Sequence, residues 1–142
     1  MIPLTQKVNS NPFLATSGAS FGAYHAVNFA LRHPNSVGRT IGLSGVYDIR
    51  RWMDGYHDDN VYFNNPVAYI ANEADLGRLE ALRRMDIILV TGADDPLRHS
   101  SEEMSTILWN KGIGNALRVW DGWAHDWPWW RRMIVHYVGG HD

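Results

Sequence analysis

Short apolar runs alternate along this chain with longer stretches in which apolar residues recur every three or four positions. Clusters of Gly, Pro and Asn separate them. Asn9-Ser10-Asn11-Pro12 is a turn cluster, and Phe13-Leu14-Ala15-Thr16 after it reads as a short buried strand. Gly18 to Gly22 is a tight turn. Beyond it Ala23, Val27, Ala30 and Leu31 predict a helix that runs to about Arg32 and stops at Pro34. Arg39 to Leu43 reads as a second strand ending at Ser44-Gly45. The mixed aromatic and polar stretch 46–65 reads as a long loop or small cap holding one helical turn. Pro66 to Asn72 and Leu76 to Arg84 fit short helices, and Asp86 to Thr91 is the clearest strand. Ser100 to Lys111 fits a helix with Ser100 or Ser101 as N-cap, Glu102 and Glu103 in its first turn, and Gly112 closing it. Ala116 to Trp120 is a fourth strand, and Pro128 to Val138 a last helix with Pro128 in its first turn.

This alternation of strands and helices predicts an α/β fold, a mostly parallel sheet of about four strands with helices on both faces. In such sheets sites lie beyond the carboxyl ends of the strands. Residues 17–22, 44–48, 92–97 and 121–125 are therefore the places to look for chemistry. A length of 142 residues supports a single domain spanning 1–142. Thirteen Lys and Arg against fifteen Asp and Glu leave no basic field, so a nucleic-acid partner is not expected. No apolar run approaches the roughly 20 residues of a membrane span, and residues 1–7 lack a signal-peptide pattern. The expectation is a cytoplasmic protein without a membrane partner. With no cysteine there is no disulfide, thiolate metal site or cysteine nucleophile.

Gly18-Ala19-Ser20-Phe21-Gly22 matches G-x-S-x-G, and its setting between an apolar strand and a helix is the one that lifts a serine out on a sharp turn. The two glycines are read as relief for a close approach of strand and helix, where a Cβ would clash. The helix N-terminus favours negative charge at Ser20, and the Phe21 N–H is a candidate oxyanion donor. A glycine-rich turn with a capping serine is the plain alternative. A serine nucleophile needs a base. Of seven histidines, His125 lies just past the fourth strand, and His99, after the third, is its rival. Asp94 and Asp95, just past the third strand, are the carboxylates that could orient an imidazole. Serine, acid and histidine in that chain order is the order of the hydrolase nucleophile elbow. His57, Asp58 and Asp59 match no strong metal-ligand spacing, so neither metal nor cofactor is expected.

Several segments together resemble an α/β-hydrolase, and more narrowly the esterase family that includes esterase D and the mycolyltransferases. They are Gly18 to Gly22 running into Ala23-Tyr24-His25-Ala26, Arg32-His33-Pro34, Leu43 to Asp48, Gly92 to Pro96, and His125-Asp126-Trp127-Pro128-Trp129-Trp130. The similarity runs from about Phe13 to Val138. The family's acid loop usually reads G-x-x-D, which selects Asp95, and its histidine is often followed by a W-P-x-W segment. Members normally carry about half their fold before the elbow, whereas here a dozen residues precede the first strand. The resemblance is therefore to the C-terminal half, a truncated α/β-hydrolase. It implies an exposed edge at the first strand, a second oxyanion donor from elsewhere, and activity weakened on the order of 10²–10³ where that donor is missing.

The resemblance implies a serine esterase for short-chain or small aryl esters. Ser20 would be nucleophile, His125 general base and acid, Asp95 its orienting carboxylate and Phe21 the oxyanion donor. Trp123, Trp127 and Tyr47 are candidate substrate contacts, and the loop 47–65, with Trp52, Tyr56, Tyr62 and Phe63, is a candidate part of the substrate wall. At least two of Trp123, Trp127, Trp129 and Trp130 are expected to be packing residues. A homo-oligomer in which another copy, across a two-fold axis, buries the first strand's edge and the surface of the first helix is expected. An acyltransferase shares the same residues, and an inactive scaffold working through its open edge is the reading from outside enzymes.

Overall fold

The computed structural model describes residues 2–142. Their elements follow the order α1 (Ile2–Val8), β1 (Ala15–Ala19), α2 (Phe21–Arg32), β2 (Arg39–Leu43), a 3-10 turn Ile49–Trp52, α3 (Asp59–Phe63), α4 (Pro66–Tyr69), α5 (Leu76–Arg84), β3 (Asp86–Gly92), α6 (Arg98–Asn110), β4 (Ala116–Trp120) and α7 (Trp127–Val138). The four strands form one sheet in the order β1-β2-β3-β4, every pair parallel.

Three crossovers advance in one direction across this sheet. A right-handed crossover then keeps every connecting helix on the same face. Val27, Ala30 and Leu31 of α2, Leu79 and Leu82 of α5, and Met104 and Leu108 of α6 pack on that face with Ile87 and Leu89 of β3. The opposite face presents Ile41, Leu43, Ile88 and Val90, and α7 covers it with Met133 and Tyr137. Alternate residues of β3 thus enter different cores, which is why its sequence is an unbroken apolar run. Arg39 ties the start of β2 to both sides, by an ion pair to Asp86 and by donating to the Tyr137 carbonyl at 2.8 Å.

β2, α5 and β4 lie where the apolar pattern predicts them. β1 lies two to three residues later than predicted, at Ala15–Ala19 rather than residues 13–16. Phe13, the most apolar part of the predicted strand, is exposed, whereas small Ser17, Gly18 and Ala19 pair with β2. α1 was not predicted: it buries no residue, so it carries no apolar stripe to read. α6 starts at Arg98, and neither Ser100 nor Ser101 caps it. Both are buried inside the helix, and the Ser100 hydroxyl accepts from the Tyr47 N–H at 2.9 Å. Among the described residues no helix is long and apolar enough to cross a membrane.

Candidate active site

The elbow is built at the end of β1. Ser20 sits between β1 and α2 with φ 54° and ψ −121°, a strained conformation for a residue with a Cβ. Its N–H donates to the Leu43 carbonyl at 2.8 Å, which fixes the turn to the end of β2. Gly18 is sterically required: a Cβ there would lie 2.1 Å from the Gly22 carbonyl oxygen. The expectation fails for Gly22, where a Cβ would meet open space. Although Ser20 occupies the N-cap position of α2, its hydroxyl makes no capping bond. It lies instead 3.2 Å from Nε2 of His125.

Nδ1 of that imidazole lies 2.9 Å from Oδ2 of Asp95. Asp95 is 4% exposed, and its other oxygen accepts the Leu97 N–H at 2.8 Å. Both carboxylate oxygens are therefore engaged and the group cannot swing. Its neighbour Asp94 faces solvent, as adjacent side chains on a turn must. His99 is exposed on α6 with Nδ1 3.2 Å from the Pro96 carbonyl, whereas it is His125 that the Ser20 hydroxyl meets. The structure thus brings together Ser20, His125 and Asp95 from three separate strand ends.

The loop holding His125 is itself held. Gly122 (φ 86°) and Ala124 (φ 48°) both adopt left-handed backbone. The loop folds back over β3 so closely that a Cβ on Gly92 would lie 2.4 Å from the Trp123 carbonyl oxygen. Ser44, at the end of β2, donates its hydroxyl to the Ala124 carbonyl at 2.7 Å and accepts from the Trp130 indole at 3.2 Å. Sequence reasoning missed this buttress. Its signal was present, a serine at a strand end, but nothing in the sequence says which loop that serine grips.

Two of the four tryptophans of residues 123–130 are packing residues. Trp129 and Trp130, in the first turn of α7, pack against the core that α7 covers, with the Trp130 ring 5.4 Å from that of His125. Trp123, its ring 6.1 Å from His125, is half exposed, and Trp127 is 68% exposed. Tyr47 is a correction. It is fully buried in the main core and cannot touch a substrate. Burial pushes its hydroxyl pKa far above the usual tyrosine value. Its ring fills the space that Gly42 and Gly45 leave, so its neighbours in sequence, not a ligand, explain it. Asp48 next to it closes the loop by accepting from Arg50 at 2.6 Å and from the Asn65 amide at 3.1 Å. The Arg50 guanidinium holds the Asp48 carboxyl below its usual pKa.

A parallel sheet with a serine lifted on a strand–helix elbow, and an acid and a histidine at later strand ends, defines the α/β-hydrolase class. Within that class the chain belongs to the family described as "Putative esterase", whose model matches residues 3–140. Among solved structures it is similar to a ferulic acid esterase, with 25% identity and a TM-score of 0.78 over 96% of this chain and 55% of that one. It is similar also to an S-formylglutathione hydrolase (FrmB) from Staphylococcus aureus, with 20% identity and a TM-score of 0.62 over 89% and 49%. A thermostable esterase from Pseudomonas putida aligns at 20% identity and a TM-score of 0.58 over 80% and 42%. The chain thus spans about half the length of these structures. No curated protein matches it by sequence.

Proposed function

We propose that this chain is a serine carboxylic ester hydrolase acting on short-chain or small aryl esters. The observation that carries the proposal is the continuous line from Ser20 Oγ through His125 to the buried carboxylate of Asp95, with contacts of 3.2 and 2.9 Å. With Nδ1–H donating to Asp95, Nε2 is free to accept the Ser20 proton. The Ser20 oxygen then bonds to the ester carbonyl carbon, and the Phe21 N–H at the start of α2 steadies the developing oxyanion. As the carbon–oxygen bond to the alcohol breaks, His125 returns its proton to the departing oxygen. Water, giving a proton to His125, adds to the acyl-enzyme and releases the acid as that proton returns to Ser20. Transfer to an alcohol other than water would use the same steps. Trp123 and Trp127, on the histidine side, are proposed contacts for the departing alcohol.

A homo-oligomer is part of the same reading. Among the described residues β1 pairs only with β2, and its outer edge is a run of small uncharged residues, with Ala15 and Ser17 exposed. A second copy related by a two-fold axis would pair with that edge.

The test is turnover of p-nitrophenyl acetate by wild type and by Ser20→Ala, on a size-exclusion fraction of known mass. A mass increment of one acetyl group at Ser20, and a rate in the variant down by at least about 10³, are the expected results. Equal rates in the two proteins would overturn the reading.

A further inference from the structure

Beside the elbow lies an open cleft of about 560 Å³, lined by Phe21, Tyr24, His25, Ile49, Trp52 and Met53. One wall is the first turns of α2, and the other is the 3-10 turn that follows β2. We propose that this cleft receives the acyl group of the substrate, and that the acyl group it fits is a neutral aromatic one. The inference rests on the esterase reading for its connection to Ser20, but the cleft's affinity can be measured without turnover.

Two lines lead there. The first is position. Phe21 supplies a ring to the cleft wall and, in the esterase reading, the N–H for the oxyanion, so the cleft adjoins the carbonyl's seat. A tetrahedral carbonyl carbon carries an acyl group on one side and a leaving oxygen on the other. His125 must reach the leaving oxygen to protonate it, so the alcohol lies toward residues 121–130. None of those residues lines the cleft. What extends away from His125 into the cleft is the acyl group.

The second line is chemistry. No Asp, Glu, Lys or Arg lines the cleft, and its ionisable side chains are Tyr24 and His25. The Arg51 guanidinium lies over the Trp52 ring, 5.5 Å from its centroid and outside that lining. The floor is Tyr24 and Ile49, each at most 8% exposed, and the Tyr24 hydroxyl is turned out of the way to donate to the Asn64 carbonyl at 2.7 Å. Phe21 and Trp52, both about half exposed, stand edge to face with ring centroids 5.4 Å apart at 81°. Their spacing and orientation belong to an aromatic cluster that has a free side. The wall is also fixed: the Ile49 N–H donates to the Asn65 side chain at 3.3 Å, and Asp48 caps the turn through the Arg50 N–H at 3.0 Å. An acetyl group would leave such a cleft wet, whereas a benzoyl ring covers the exposed surface of Phe21 and the part of Trp52 that Arg51 leaves free.

The experiment compares p-nitrophenyl benzoate with p-nitrophenyl acetate, whose leaving groups are identical, each kcat/KM divided by the ester's rate with hydroxide. Wild type is expected to favour benzoate on this scale by about tenfold or more. Trp52→Ala should lower the benzoate-to-acetate ratio by about tenfold. Met53→Trp, which adds bulk at the mouth, should lower it too and serves if Trp52→Ala fails to fold. Alongside, Ser20→Ala is titrated with benzamide and with acetamide, following tryptophan fluorescence. Saturable benzamide binding that the added Trp52→Ala substitution removes supports the cleft even where no ester turns over, which would sink the esterase reading alone. Ser20-dependent turnover with no benzoate preference and no benzamide binding would overturn the cleft proposal and leave the esterase reading standing.

Discussion

Replacing Ser44 by alanine tests whether the His125 loop is held in place from the end of β2. The hydroxyl makes two bonds, to the Ala124 carbonyl at 2.7 Å and from the Trp130 indole at 3.2 Å. Ala124 is fully buried, so water cannot readily replace the lost donor, and an unsatisfied buried carbonyl costs about 1–3 kcal/mol. Trp130 is only partly buried and can turn its N–H to water at little cost. Ser44 itself has φ 50°, but alanine suffers there much as serine does, so the backbone term cancels. The expected loss is about 2 kcal/mol, or roughly 6 °C in Tm for a chain of this size. The consequence for activity comes through Ala124, whose own φ of 48° is strained and directly precedes His125. Once its carbonyl is released the loop can relax, and a shift of about 1 Å in the imidazole costs on the order of 10² in rate. The assay is kcat and KM for p-nitrophenyl acetate well below both melting temperatures, beside a thermal melt. A fall in kcat with KM nearly unchanged is the expected result. If Tm falls and kcat does not, Ser44 holds the fold and leaves the histidine alone, and the positioning argument is refuted.

Asp95→Asn should lower kcat by about 10⁴. An amide NH₂ facing Nδ1 forces the proton onto Nε2, the wrong nitrogen to accept from Ser20, while the bond from the Leu97 N–H can persist, so Tm should change little. Circular dichroism melts beside the rate measurement separate the two effects. Gly18→Ala should destabilise by about 3 kcal/mol, because the new Cβ meets the Gly22 carbonyl oxygen, a backbone atom that cannot rotate away. Gly22→Ala, in open space on a helix, should be neutral or stabilise by about 0.5–1 kcal/mol. Denaturant titration of the two variants checks the pair, and equal effects would refute the steric reading of the elbow.

What the sequence made legible was whatever depends on period and punctuation. The strand Asp86–Gly92 is apolar because both of its faces are buried, and the helix Leu76–Arg84 carries its stripe of Leu79 and Leu82 toward one core. That Ser20, Asp95 and His125 lie together was readable because each stands in the loop just past a strand end, and their chain order matches a known arrangement. Features set by tertiary packing were harder to read. Tyr47 stands in an aromatic stretch just past a strand end, which reads as a substrate wall. Only the space left by Gly42 and Gly45 shows that its ring turns inward. α1 has no buried residue, so no periodicity marks it. β1 is displaced toward Ala19 because sheet register, which rewards small residues beneath the elbow, outweighs the apolar character of Phe13 and Leu14.

The arrangement of the site follows from the register of the sheet. Ala19 stands level with Leu43, Leu43 with Val90, and Val90 with Arg118. β1 and β2 end at that level, while β3 and β4 each continue for two more residues, about 7 Å. The elbow and Ser44 therefore occupy a step, and the loops that follow β3 and β4 start above it. To reach Ser20, the His125 loop must turn back down across the end of β3, and that descent requires the left-handed residues Gly122 and Ala124 and the missing side chain at Gly92. Each strand end then contributes one residue to a connected set: Ser20 from β1, Ser44 from β2, Asp95 from β3 and His125 from β4. A slip of one residue in any strand pairing would separate that set by about 3 Å. The continuous apolar run of β3, buried on both faces, is what makes such a slip costly.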